Sequence, residues 1–129
     1  MFISKETICE AKAYVANVNK NTNWIFINLQ LSNGLEGWGE ATLNKSESVI
    51  EKLANKKLRS LINLNLDELS HKINQISTYI DTPNAIFTSA LNSALIDLIA
   101  QKKNVSVANE LGGLVNDEVE VYANFNRRT

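Results

Sequence analysis

His71, Glu40 and Asp97 are the side chains of this chain best suited to moving a proton, and none stands in a pattern that completes a catalytic set. His71, the only histidine, lies beside the Leu69/Ile73 stripe of a helical pattern and reads as a helix-surface or boundary residue. Glu40 follows Gly39 in a strand-like run and reads as a strand carboxylate that pairs locally rather than as a general base. Asp97 interrupts the most apolar stretch of the chain, where a buried charge needs a partner. It is assigned a structural hydrogen-bonding role. Cys9 alternates with Ala11 and Ala13 and reads as a small core hydrophobe. Trp24 and Trp38 would suit stacking on bases or sugars. Without interleaved basic residues, packing on a sheet face or against a neighbouring domain is the better reading. No catalytic residue and no metal-ligand set is assigned.

Composition narrows the partners. Lys+Arg number 13 and Asp+Glu 14, a net charge of -1, and the charges are scattered. No basic stripe of the kind that nucleic acid requires is legible. No apolar run reaches the length of a signal or membrane segment, so no membrane partner is expected. The near-balance of charge gives little protection against self-association, and a homo-oligomer is expected. Cys9 is the single cysteine. It permits no internal disulfide and suggests a reducing, cytoplasmic setting.

The elements that must position these residues fall into two groups. Thr7 to Val15 and Trp24 to Leu31 alternate like strands, with Ile25, Ile27, Leu29 and Leu31 assigned to the core face. Between them, Asn17 to Asn23 is polar and Asn-rich, and reads as a long hairpin loop. Asn33-Gly34 marks a tight turn, since both residues tolerate positive φ, returning Leu35 to Leu43 as a third strand. Gly37 and Gly39 inside that strand imply a bulge or a second backbone passing close. Helices follow: one capped by Asn44 with Glu47 at its third position, one opened by the Asn65/Glu68 capping box, and one begun at Thr82-Pro83. The third, through Lys103, is apolar on more than one stripe and should be the central helix. A short helix over Val105–Leu111 should close at Gly112 or Gly113. The fold class is α+β: a three-stranded antiparallel meander, then a helical bundle.

Glu118 to Asn126 alternates once more as a strand. It either adds to the edge of the upstream sheet or begins a further domain, since its backbone groups need a neighbour.

Gly34-Leu35-Glu36-Gly37-Trp38-Gly39-Glu40-Ala41-Thr42, Ala90-Leu91-Asn92-Ser93-Ala94-Leu95-Ile96-Asp97-Leu98, Leu111-Gly112-Gly113 and Val121-Tyr122-Ala123 stand in an order that resembles the N-terminal capping domain of the mandelate racemase/muconate lactonizing enzyme family, within the enolase superfamily. The resemblance spans nearly the whole chain. It implies a capping domain over residues 1–113, then a linker and the first strand of a catalytic barrel over 114–129. It further implies that the full-length enzyme uses Mg²⁺ to remove a proton α to a carboxylate, acting on a small carboxylate or acid sugar as dehydratase, racemase, epimerase or cycloisomerase. This chain, without the barrel, is expected to be inactive and to bind no metal. The family's two lid loops map onto Asn17, Asn19, Asn21, Thr22 and Asn23, and onto Leu43, Asn44 and Lys45. There, Lys45 would meet a substrate carboxylate and the Asn amides its hydroxyls. Asn124 and Asn126, at the end of the would-be barrel strand, are further pocket candidates. The alternative reading is a stand-alone, non-catalytic α+β module that self-associates through an uncovered sheet or strand edge.

Overall fold

The computed structural model describes residues 5–76, 81–114 and 116–123. Strands β1 (Ile8–Asn19), β2 (Thr22–Leu31) and β3 (Glu36–Glu40) form one antiparallel sheet in the order β1-β2-β3. Helices α1 (Glu47–Lys57), α2 (Leu66–Ile76), α3 (Thr82–Lys103) and α4 (Val107–Glu110) follow. The inner face of the sheet is apolar: Ile8, Ile25, Ile27, Leu29 and Leu31 are wholly buried, as period-2 alternation requires. Against it lie Ile50 and Ala54 of α1 and Phe87, Leu91 and Leu98 of α3, and Leu69 and Ile73 of α2 extend the same core behind α3. The meander followed by helices is the expected α+β architecture.

α3 lies directly against β3. A Cβ on Gly37 would meet the Ala94 carbonyl oxygen, and one on Gly39 the Ala90 carbonyl oxygen. The two glycines therefore leave room for a helix backbone, the close approach that a glycine inside a strand implies. α3 also closes the open edge of β3. The Trp38 N–H donates to Asp97 Oδ2 at 3.1 Å, and Gln101 Nε2 donates to the Glu36 carbonyl at 2.7 Å and to Asp97 Oδ1 at 2.9 Å. Asp97 thus has the structural role expected of it.

The helix ends follow local chemistry. Asn65 and Glu68 exchange side-chain bonds with each other's N–H at 2.9 Å, a complete capping box. Asp81 accepts from the Asn84 N–H at 3.0 Å, with Pro83 in the first turn. The same bond holds the Asp81 carboxyl below the usual carboxylate range. Asn104, at φ 54°, ends α3 in the left-handed region.

Several expectations need correction. Cys9 is exposed. The register shifts between Ile8 and Glu10, a β-bulge that turns Cys9 outward and gives its core place to Ile8. Asn17 to Asn23 is no long loop: β1 runs to Asn19 and β2 starts at Thr22, leaving only Lys20 and Asn21 in the turn. In the β2–β3 connection only Gly34 has positive φ; Leu31 and Leu35 pair across Ser32-Asn33-Gly34, a three-residue hairpin. β3 stops at Glu40 because Thr42 Oγ1, not a main-chain oxygen, accepts the Ile25 N–H at 3.0 Å. Asn44 does not cap α1. Lys45 takes φ 65°, which no first helical residue can hold, so the helix starts two residues later behind Ser46. The short helix expected over Val105–Leu111 is reduced to α4, capped by Ser106. Residues 118–123 carry no strand pairing, and Val119, Val121 and Tyr122 are exposed. Asn124, Phe125 and Asn126 lie outside the described residues.

Gly39→Ala should destabilise by about 1–3 kcal/mol or more, because the added methyl meets backbone that cannot rotate away. Leu95→Ala should cost about 2–5 kcal/mol, and Asn21→Ala less than ~0.5 kcal/mol. Urea midpoints check all three, and equal losses at Leu95 and Asn21 would contradict the packing described. The advantage of wild type over Asp81→Ala should be full at neutral pH, where the lowered carboxyl is ionised in both folded and unfolded chains. It should fade as pH falls from the ordinary carboxylate range through the lowered value, which pH-dependent denaturation would measure.

Candidate functional site

One end of the fold gathers most of the polar residues singled out from the sequence. β1 and β2 run past the end of β3 as a two-stranded ribbon, since the last β2–β3 pair is Phe26 with Glu40 while β1 and β2 stay paired to Asn19 and Thr22. The tip at Asn21 stands about 13 Å beyond Ile25, at some 3.3 Å per strand residue. Beside the base of this ribbon lies the Leu43–Ser46 turn, closed by the Ser46 N–H on the Leu43 carbonyl at 3.0 Å. Two bonds tie turn to ribbon: the Ala41 N–H to the Ile25 carbonyl at 2.8 Å, and the Ile25 N–H to Thr42 Oγ1. Asn17, Asn19, Asn21, Thr22, Asn23, Leu43, Asn44 and Lys45 are therefore brought to the same end.

The asparagines do two kinds of work. Asn17 Nδ2 donates across the ribbon to Asn23 Oδ1 at 2.9 Å and to the Asn19 carbonyl at 3.3 Å. Asn19 Oδ1 accepts from the Asn21 N–H at 2.9 Å, an Asx-type turn that shapes the tip. Neither Lys20 nor Asn21 has positive φ, so the turn lacks the twist that suits a two-residue hairpin. The register shift between Asn17 and Asn19 absorbs the difference at Val18. These side chains stiffen a solvated ribbon. The Asn21 amide and the Lys20 and Lys45 ammonium groups have no hydrogen bond or ion pair among the described residues. Lys20 was not among the residues singled out from the sequence. Its signal was its place beside Asn21 at the midpoint of the polar segment, which becomes visible once the strands are paired.

The remaining candidates lie apart from this end. His71 is exposed on α2, and Glu40 is exposed at the end of β3, paired in register with Phe26. Trp24 and Trp38 lie on the outer face of the sheet in separate aromatic pairs: Trp24 edge-on to Phe26 at 6.5 Å, and Trp38 tilted against Tyr14 at 5.5 Å. Beneath that second pair Asn28 is buried, donating to Glu36 Oε2 at 3.3 Å. Among the described residues no group of three or more His, Cys, Asp or Glu side chains could hold a metal ion, and no helix is long and apolar enough to cross a membrane.

A family profile described as "Mandelate racemase / muconate lactonizing enzyme, N-terminal domain" matches residues 7–112. Among solved structures, 2-chloromuconate cycloisomerase from Rhodococcus opacus 1CP is similar with a TM-score of 0.75 at 20% identity, over 88% of this chain and 34% of that one. The muconate lactonizing enzyme from Pseudomonas putida gives a TM-score of 0.73 at 24% identity, over 86% and 33%. A putative galactarate dehydratase from Agrobacterium radiobacter, bound to Na and L-malate, gives 0.74 at 24%, over 90% and 30%. At these identities the likeness is one of fold. The chain spans about a third of the length of the solved structures it matches. The search of curated proteins found no match.

Asn17→Ala should speed hydrogen exchange at the ribbon amides while shifting the unfolding free energy by less than ~0.5 kcal/mol, as an exposed site does. A midpoint loss as large as that of Leu95→Ala would show that the ribbon is part of the core.

Proposed function

The chain belongs to the mandelate racemase/muconate lactonizing enzyme family as its N-terminal domain, and from that membership we propose that it acts as the lid of an enzyme whose reacting groups lie on a catalytic barrel. The observation that carries this reading is the clustering of the ribbon tip and the Leu43–Ser46 turn at one end, locked together through Ile25. A stiff ribbon can exclude water from a reacting centre while a few free polar groups choose the substrate. Lys20 and Lys45 suit a carboxylate, and Asn21, Thr22 and Asn44 suit hydroxyls, so the substrate class is a small carboxylate or an acid sugar. Galactarate-type dehydration and muconate-type cycloisomerisation both fall within it.

The described residues do not fit a Mg²⁺ site, having no cluster of three carboxylate or imidazole ligands. Any metal that steadies an enediolate is therefore assigned to the barrel, and no step of the chemistry is assigned to this domain. Its part is binding and enclosure.

The isolated chain should give no saturable Mg²⁺ isotherm by calorimetry and no turnover of acid sugars or muconates. A specific Mg²⁺ site with activity that copurifies with the chain would overturn the assignment. Within an enzyme completed by a barrel, Lys45→Ala and Lys20→Ala should raise KM about tenfold or more with kcat little changed, as loss of uniform binding does. A fall in kcat with unchanged KM would place these lysines in the chemistry instead.

A further inference from the structure

The free edge of β1 carries an inference that does not depend on the lid reading. At its start the edge is occupied: the Ile8 N–H donates to the Leu64 carbonyl and the Ile8 carbonyl accepts from the Asn63 N–H, both at 2.8 Å. Beyond the bulge at Cys9 the register resumes with Glu10, Lys12, Tyr14 and Ala16 opposite Gln30, Asn28, Phe26 and Trp24. β2 turns the main-chain groups of Ile25, Ile27 and Leu29 toward β3 and its extension, as the Ala41 and Thr42 bonds to Ile25 show. The alternation of an antiparallel ladder then leaves the N–H and C=O of Ala11, Ala13 and Val15 pointing out from β1. No hydrogen bond reaches those groups among the described residues. The opposite edge of the same sheet is closed by Asp97 and Gln101, so the exposure is particular to β1.

Along this edge runs a groove between β1 and α1, lined by Ala11, Lys12, Ala13, Ala54, Asn55, Leu58 and Arg59. Its floor is made of small residues. Two residues further along the same inner face, Val15 is an exposed large hydrophobe with nothing to cover it. The edge thus carries an apolar knob and, beside it, a shallow recess that three alanines and Leu58 share with Lys12, Asn55 and Arg59.

The geometry points to self-pairing: β1 of one chain adds antiparallel to β1 of a second copy about a two-fold axis at Ala13, making one continuous sheet from two. In this register Ala13 faces Ala13 of the second copy, and Val15 lies opposite Ala11, over the groove, twice by symmetry. Lys12 lies opposite Tyr14 of the second copy, whose ring already packs on Trp38, a cation–π arrangement. The neighbouring register centred on Lys12 would oppose like charges and is disfavoured. The one centred on Tyr14 places Lys12 opposite Ala16 and so loses the pair with the Tyr14 ring. The ladder ends where it must, at the Asn63–Leu64 segment on one side and the Val18 bulge on the other. An isologous contact of this kind closes at two copies.

Sedimentation velocity of the full chain across micromolar to sub-millimolar concentrations tests the pairing. The wild type should dimerise. Ala13→Pro should remain monomeric with an unchanged circular dichroism spectrum, because it removes only an outward N–H, which an edge strand tolerates. A hydrogen-bonded antiparallel pair holds its Cα atoms about 5.5 Å apart, within disulfide reach. Ala13→Cys in a Cys9→Ser background should therefore cross-link into a covalent dimer under oxidation, a result that stands even if Ala13→Pro fails to fold. A strictly monomeric wild type, an Ala13→Pro dimer or an absent cross-link would each overturn the proposal. Association abolished by Val119→Pro/Val121→Pro would overturn it too, by assigning the edge to the exposed 116–123 segment.

Discussion

Two carbonyl oxygens of α3 occupy the space where side chains on β3 would otherwise stand. A Cβ on Gly39 or Gly37 would meet Ala90 or Ala94 main chain, so β3 and α3 approach as backbone on backbone. Much else follows from that contact. The closeness lets Asp97 and Gln101 reach around the helix to satisfy the outward groups of β3, which would otherwise be an open sheet edge. It also explains the breadth of apolar surface on α3. The helix meets β2 and β3 on one side and α1 and α2 on others, and its buried residues run from Phe87 to Ala100. Small residues at Ala90 and Ala94 are the helix half of the same fit.

The contact also has a functional consequence. With β3 held by α3, the chain leaving Glu40 arrives beside Ile25, and the Thr42 hydroxyl ends the ladder there. The Leu43–Ser46 turn is thereby anchored to the base of the ribbon. A lid whose two parts moved independently would present its polar groups in no fixed arrangement. Here the ribbon is stiffened by Asn17, Asn19 and Asn23, and the turn is tied to it, while Lys20, Asn21 and Lys45 keep free ends. Division between amides that build the ribbon and groups left for a ligand is the physical content of the lid reading.

Much of this was legible in the sequence, for reasons that differ by residue. The core face of β2 was readable because Ile25, Ile27, Leu29 and Leu31 alternate without interruption. The Asn65/Glu68 capping box was readable because its chemistry is local. The glycines of β3 announced a close backbone, and the motif order carried the family. What was missed depends on register. A single bulge turns Cys9 off the inner face that Ala11 and Ala13 keep, and composition has no signature for it. An Asn-rich segment reads as a loop because asparagine favours turns. Yet asparagines facing each other across two strands bond side chain to side chain, and that becomes visible only once the pairing is known. The two segments lie at one end of the fold, in the form of a paired ribbon and a turn rather than two loops.

β3 rests on the α3 backbone, and this contact organises the domain. The most direct measurement is a proton NOE spectrum of the full chain. Strong cross-peaks should join the Hα protons of Gly37 and Gly39 to protons of Ala94 and Ala90, together with peaks between Thr42 and Ile25 at the ribbon base. Glycine Hα protons that show only intra-sheet contacts, with Ala90 and Ala94 seen against other side chains, would contradict the account.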